Sequence, residues 1–137
     1  MKIVYLLRAF PVISQTFVLN EITGLMDLGH KVEILSIKRS NQTIIHSKVK
    51  EYDLNKKVKY LEDIQNEGNS ADLNKKLIDE YIIKRIIDMG ADILFFHFGD
   101  IGKEFINLKD RIKLPMVTYF HGIDFSKFPK QGINYCE

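Results

Sequence analysis

An unbroken apolar run, Ile3-Val4-Tyr5-Leu6-Leu7, follows Met1-Lys2 and stops at Arg8-Ala9-Phe10-Pro11. Short, continuous and partly β-branched, it predicts a strand buried on both faces. Ser14 and Thr16 then offer helix N-cap oxygens. Phe17, Val18, Ile22, Leu25 and Met26 recur at helical spacing, and Gly29 stands where a C-terminal cap glycine belongs. Val32-Glu33-Ile34-Leu35-Ser36-Ile37 is a second strand pattern. The first 37 residues therefore predict one βαβ unit with a parallel strand pair.

Residues 38–72 are less regular, with Val58–Leu61 as a short third strand and Glu67–Ser70 as a polar loop. A helix resumes near Asp72. Leu73, Leu77, Tyr81 and Ile82 share its stripe, joined by Ile78, Ile86 and Met89, and Gly90 closes it. Ile93-Leu94-Phe95-Phe96-His97-Phe98 predicts another buried strand, Gly102–Lys109 a short helix, and Met116–Phe120 a further strand. Phe125–Glu137 carries no clear pattern. The alternation predicts an α/β fold: a Rossmann-like, doubly wound parallel sheet with helices on both faces.

Composition narrows the function classes. With 137 residues the chain is long enough for one domain and a real core. Apolar residues are 45% and charged residues 28%, which excludes disordered and collagen-like sequence. Twenty Lys and Arg against 18 Asp and Glu leave a net charge of +2, so no global field points to nucleic acid. The basic stretch 38–59 reads as a solvated face, or as a surface for anionic headgroups. Cys136 is the single cysteine, without partners at zinc spacing. The opening apolar run is too short for a signal h-region or a membrane span, which predicts a cytoplasmic protein able to touch a membrane surface.

Ligands of open parallel sheets bind beyond the carboxyl ends of the strands. That rule selects Arg8–Thr16, His97–Gly102 and His121–Asp124. In the first, Ser14-Gln15-Thr16 opens a helix whose N–H groups can hold an anion; a plain N-cap explains the same residues. In the second, Gly99 allows close backbone approach, Asp100 can cap a helix or face a ligand, and His97 reads equally as a core histidine bonded to backbone. In the third, His121-Gly122-Ile123-Asp124 can present an imidazole to a cleft, or can be a turn with Asp124 as helix cap. No G-x-G-x-x-G and no P-loop motif occurs, so NAD-dependent redox and P-loop chemistry fall. A receiver domain would need an acidic cluster where the first strand ends in Leu7-Arg8, and a flavodoxin would need a loop richer in Ser and Thr.

Four stations in order, Phe10-Pro11-x-x-Ser14-Gln15-Thr16-Phe17 with Asn20-Glu21-Ile22, Leu28-Gly29-His30-Lys31-Val32, His97-Phe98-Gly99 and His121-Gly122-Ile123-Asp124, carry a resemblance. The chain resembles the N-terminal domain of family-four glycosyltransferases of the GT-B architecture, nearest the colanic-acid type of polysaccharide biosynthesis. Gln15 departs from the family's usual Glu, and the Gly-Gly pair of many members is missing from the first loop.

The resemblance implies retaining transfer of a sugar from a nucleotide-sugar donor to a glycan or lipid-linked acceptor, without metal or other cofactor. It implies that residues 1–137 are the acceptor-side domain, with the donor-binding C-terminal domain outside this chain, and that these residues alone do not transfer sugar. It places catalytic roles on His121, near the transferred sugar, and Asp124, which holds the loop. Ser14, Gln15 and Thr16 would face the donor phosphates or the acceptor. His97, Gly99 and Asp100 would line the acceptor side, and Gly122 would contact substrate. A different class remains open: a non-catalytic Rossmann-like module that works with a separate partner chain.

Overall fold

The computed structural model describes residues 1–65, 70–127 and 129–131. Five parallel strands form one sheet: β1 (Lys2–Phe10), β2 (Lys31–Arg39), β3 (Val58–Tyr60), β4 (Ile93–His97) and β5 (Met116–Tyr119). Their order, β3-β2-β1-β4-β5, is that of a Rossmann-like half. The chain leaves β1 in one direction to build β2 and β3, then crosses back to place β4 on its other side. The expected βαβ unit is present, with Ile3 opposite Val32 and Leu6 opposite Leu35. β1 runs to Phe10 rather than ending at Leu7, because Ala9 and Phe10 still pair with Lys38 and Arg39.

Strand alternation sorts the core into two layers. Val4, Leu6, Leu94 and Phe96 face α5 (Ala71–Met89) and α6 (Gly99–Glu104), meeting Ile78, Ile82 and Ile101. Ile3, Tyr5, Leu7 and Ile34 face the other way, onto Val18, Leu19 and Ile22 of α1 (Thr16–Asp27). Val49 of α2 (Ser47–Glu51) and Leu54 of α3 (Leu54–Lys57) extend that second layer beneath the irregular stretch. Both layers draw on the same strands, so each central strand carries a run of consecutive apolar residues. An Arg85 fork on Glu33, at 2.6 and 2.7 Å, ties α5 to β2.

Caps and boundaries follow local chemistry, with corrections. Gly29 (φ 84°) and Gly90 (φ 61°) take the left-handed conformation that ends α1 and α5. Ser70 caps α5 through Leu73 N–H. The N-cap of α1 is Gln15, without a side-chain cap bond, so Ser14 and Thr16 do not cap it. Leu73 is exposed rather than part of the α5 stripe. The helix expected over Gly102–Lys109 starts three residues earlier, as α6, and gives way to a 3₁₀ turn at Ile106–Asp110. The early start has a distant cause: the Asp124 carboxylate accepts the Gly99 N–H at 2.9 Å. No element is expected over Phe125–Glu137, but α7 (Gly122–Ser126) runs into it and a 3₁₀ turn covers Pro129–Gln131. Between β3 and α5, α4 (Glu62–Gln65) precedes the predicted polar loop; Glu67–Asn69 and Cys136 lie outside the described residues.

Candidate functional site

Parallel strands place all their carboxyl ends on one edge, and the crossover between β1 and β4 opens a crevice there. His97 is the last residue of β4. It has the parity of Ile93 and Phe95, so its ring points to the α1 face of the sheet. Tyr5 pairs in register with Phe95 and stacks on His97 at 5.8 Å between ring centroids. Glu21, one helical turn along α1 from Phe17, reaches both: Tyr5 Oη donates to Glu21 Oε1, and His97 Nε2 lies 3.3 Å from the same oxygen. His97 is buried, yet its partners are side chains rather than backbone.

The other ring nitrogen of His97 meets the third segment. His97 Nδ1 and His121 Nε2 are 3.0 Å apart, with the rings stacked at 5.2 Å. His121 stands between β5 and α7, where Asp124 sits fully buried. One Asp124 oxygen accepts the His121 backbone N–H at 2.6 Å, the acidic half of a capping box, and the other accepts Gly99 N–H. One carboxylate thereby ties the starts of two helices, α6 and α7, and sets the loop that carries His121.

Aromatic rings close the site. Phe17, from the first turn of α1, packs 4.6 Å from His121, and Phe98 packs 4.5 Å from it on another side. Phe98 has φ 75°, a conformation that costs a non-glycine residue on the order of 1–3 kcal/mol. That turn swings its ring out of the strand line and over the histidine. Tyr119 adds a third ring at 4.8 Å.

Electrostatics favour one charge arrangement. Burial by itself raises the Glu21 carboxyl. Hydrogen bonding to His97 and Tyr5, with the charges of His97 and His121, outweighs it and holds the group below its ordinary value. Burial, with hydrogen bonding and charge from Glu21, pushes the Tyr5 phenol far above its usual range. His121 is lowered from 6.5 by burial and by His97, against opposing pulls from Asp124 and Glu21. An anionic Glu21 beneath a neutral His121 fits these directions.

The remaining predicted residues are near but differently used. Asp100 is engaged by Arg8, whose guanidinium donates to it at 2.9 Å and to Glu104 at 3.1 Å. Gly122 is the first residue of α7 and is exposed. Ser14 and Thr16 are exposed and Gln15 half-buried at the start of α1, next to Phe17. The same loop lines a small apolar cleft with Phe10, Val12, Ile44 and Ile45, and is tied to the β2 loop by Ile13 N–H on Gln42 at 2.6 Å. Tyr5 and Glu21 join the site without having been expected there. Strand parity and the i,i+4 step from Phe17 to Glu21 are the signals in the sequence that point to them. Among the described residues, no group of three or more His, Cys, Asp or Glu side chains is arranged to hold a metal ion. No described helix is long and apolar enough to cross a membrane.

No family model and no solved structure matches the chain. Curated proteins do. The chain is 29% identical to "Putative colanic acid biosynthesis glycosyltransferase WcaL" of Salmonella typhimurium, over 92% of this chain and 38% of that protein. It is 30% identical to the protein of the same name in Escherichia coli, over the same shares. It is 33% identical to amylovoran biosynthesis glycosyltransferase AmsK of Erwinia amylovora, over 86% of this chain and 27% of that protein. The chain therefore spans 27–38% of the length of these relatives.

Proposed function

We propose, starting from this kinship with polysaccharide-biosynthesis glycosyltransferases, that residues 1–137 are the acceptor-side domain of such an enzyme. The reaction is retaining transfer of a sugar from a nucleotide-sugar donor to a glycan or lipid-linked acceptor in surface polysaccharide synthesis. The single observation that carries the reading is the joining of three strand ends into one wall, with Arg8 of β1 bonded to Asp100 of α6. Asp124 fixes the His121 loop to α6, and His97 backs His121 from within the sheet.

In this reading the wall does the positioning. His121 and the exposed Gly122 border the transferred sugar. Asp100 borders the acceptor, held in place by Arg8, while Gly99 is buried beside it with its N–H on Asp124. The start of α1, from Ser14 to Thr16, faces phosphate or acceptor hydroxyls with the positive end of its dipole. Ile44 and Ile45, both exposed beside the apolar cleft, suit an acceptor that carries a lipid. No metal or other cofactor enters the scheme. A donor-binding domain supplies the opposite wall, because one wall cannot exclude water from the reacting sugar. The protein works in the cytoplasm, with peripheral contact to the membrane that holds a lipid-linked acceptor.

The test is sugar transfer by a polypeptide that carries this domain together with a donor-binding domain. His121→Ala there lowers kcat/KM on the order of tenfold to a hundredfold, the effect of losing a polar contact at a desolvated centre. Turnover at the unsubstituted rate removes His121 from the site.

A further inference from the structure

The histidine pair poses a proton-counting problem. His97 Nδ1 and His121 Nε2 face each other at 3.0 Å, so one must carry a hydrogen and the other a lone pair. Two arrangements satisfy that contact, with opposite consequences for the outer nitrogen of His121. Two surroundings bear on the choice: the α7 capping box, where the His121 side chain faces the Asp124 backbone N–H, and the far side of His97, where Nε2 is buried without a hydrogen bond and Glu21 Oε1 lies 3.3 Å away. A hydrogen on Nε2 lies beside a carboxylate, whose negative charge favours it even without an aligned hydrogen bond. A lone pair there would face that carboxylate's negative charge in a buried setting, a far poorer arrangement. Glu21 is itself fixed as an acceptor, since Tyr5 Oη already donates to it.

We propose that Glu21 is a positioning residue that sets the tautomers of both histidines. It holds His97 with its hydrogen on Nε2. His97 Nδ1 is then the acceptor, and His121 Nε2–H must donate inward to it. The outer nitrogen of His121, Nδ1, then carries a lone pair, which faces the Asp124 backbone N–H in the other half of the α7 capping box. Every hydrogen in the row runs one way: from His121 to His97, and from His97 and Tyr5 to Glu21.

Long-range ¹H–¹⁵N correlation spectra of this chain, near pH 8, read the protonated nitrogen of each ring directly. The expected result is Nε2–H on both His97 and His121. Glu21→Ala should abolish the single-tautomer signature of His97. Glu21→Gln should restore it, because the amide oxygen can accept the same hydrogen bond. Glu21 is partly exposed, so these variants leave the core intact. Spectra of the unsubstituted chain alone establish or refute the tautomers, whether or not a variant folds. His97 protonated on Nδ1, an unchanged His97 signature in Glu21→Ala, or a Gln variant with the same mixed signature as the Ala variant would each overturn the proposal. Failure of the transferase reading looks different: the tautomers stand as described, but no glycan shifts the His121 ring signals.

Discussion

Asp124 shows how much can hang on one side chain. It is completely buried, and its two oxygens take backbone N–H groups from two separate loops. Removing the carboxylate leaves both donors without a partner, at about 1–3 kcal/mol for each buried group. Asp124→Ala should therefore lower stability by roughly 2–4 kcal/mol in denaturant unfolding, and Asp124→Asn, which keeps one acceptor, by less. Equal and small losses in both would mean that the helix starts do not depend on it. The histidine–glutamate row gives a second expectation, in pH. Glu21 titrates below its ordinary 4.5 when folded, so its contribution is complete above that value and fades as pH falls through the lower folded one. His121 titrates below 6.5 when folded, so the unfolded chain takes up the proton first and stability drops as pH falls below about 6.5. Thermal unfolding should show Tm declining from about pH 7.5 to about pH 5.5, with a smaller decline in His121→Ala. An identical decline in that variant would contradict the assignment.

At the scale of elements, the sheet was readable because burial on both faces leaves an unambiguous mark. Ile3–Leu7, Ile34–Leu35 and Leu94–Phe96 are apolar without interruption, and all lie in central strands. Lys2–Phe10 outran its apolar run because pairing, not hydropathy, set its end. The departures have physical causes outside the local pattern. The start of α6 answers to Asp124, a residue 25 positions away, and no local pattern encodes that. The short helices α2 and α3 bury only Val49 and Leu54, too little to generate a periodicity. The site was legible in part for the same reasons. His97, His121 and Asp124 stand at strand ends, where topology points. Tyr5 was hidden inside an apolar run, and Glu21 on a helix whose pattern marks only its core face. Packing between α6 and β5 yields an element-level prediction. A Cβ on Gly102 would run into the Thr118 side chain, which lies against the helix. Gly102→Val should cost about 1–3 kcal/mol by overpacking. Pairing it with Thr118→Ala, which removes both the Oγ1 and the methyl that the new side chain would meet, should recover part of the loss; no recovery would place the strain elsewhere.

For the whole molecule, the two layers of core make a platform, and the carboxyl ends of its strands carry the candidate site. The exposed surface is informative there. Val117, Tyr119, Phe120 and Phe125 form an apolar border around β5 and α7, beside the histidine wall. Such a border suits a neighbouring structural unit, and the relatives are about three times the length of this chain. These 137 residues alone should therefore transfer no sugar, since an open wall leaves the reacting centre in water. Turnover by the purified chain with nucleotide-sugar and acceptor would refute that. That the joined strand ends are a glycan-binding wall is tested most directly by amide-shift mapping. Isotope-labelled chain would be titrated with acceptor oligosaccharides, free and lipid-linked, at concentrations up to about millimolar, where weak half-sites still fill. Shifts are expected at Gly99, Asp100, His121 and Gly122, with the start of α1 following. Shifts confined to the opposite edge of the sheet, or none with any oligosaccharide, would mean that the strand ends bind no glycan.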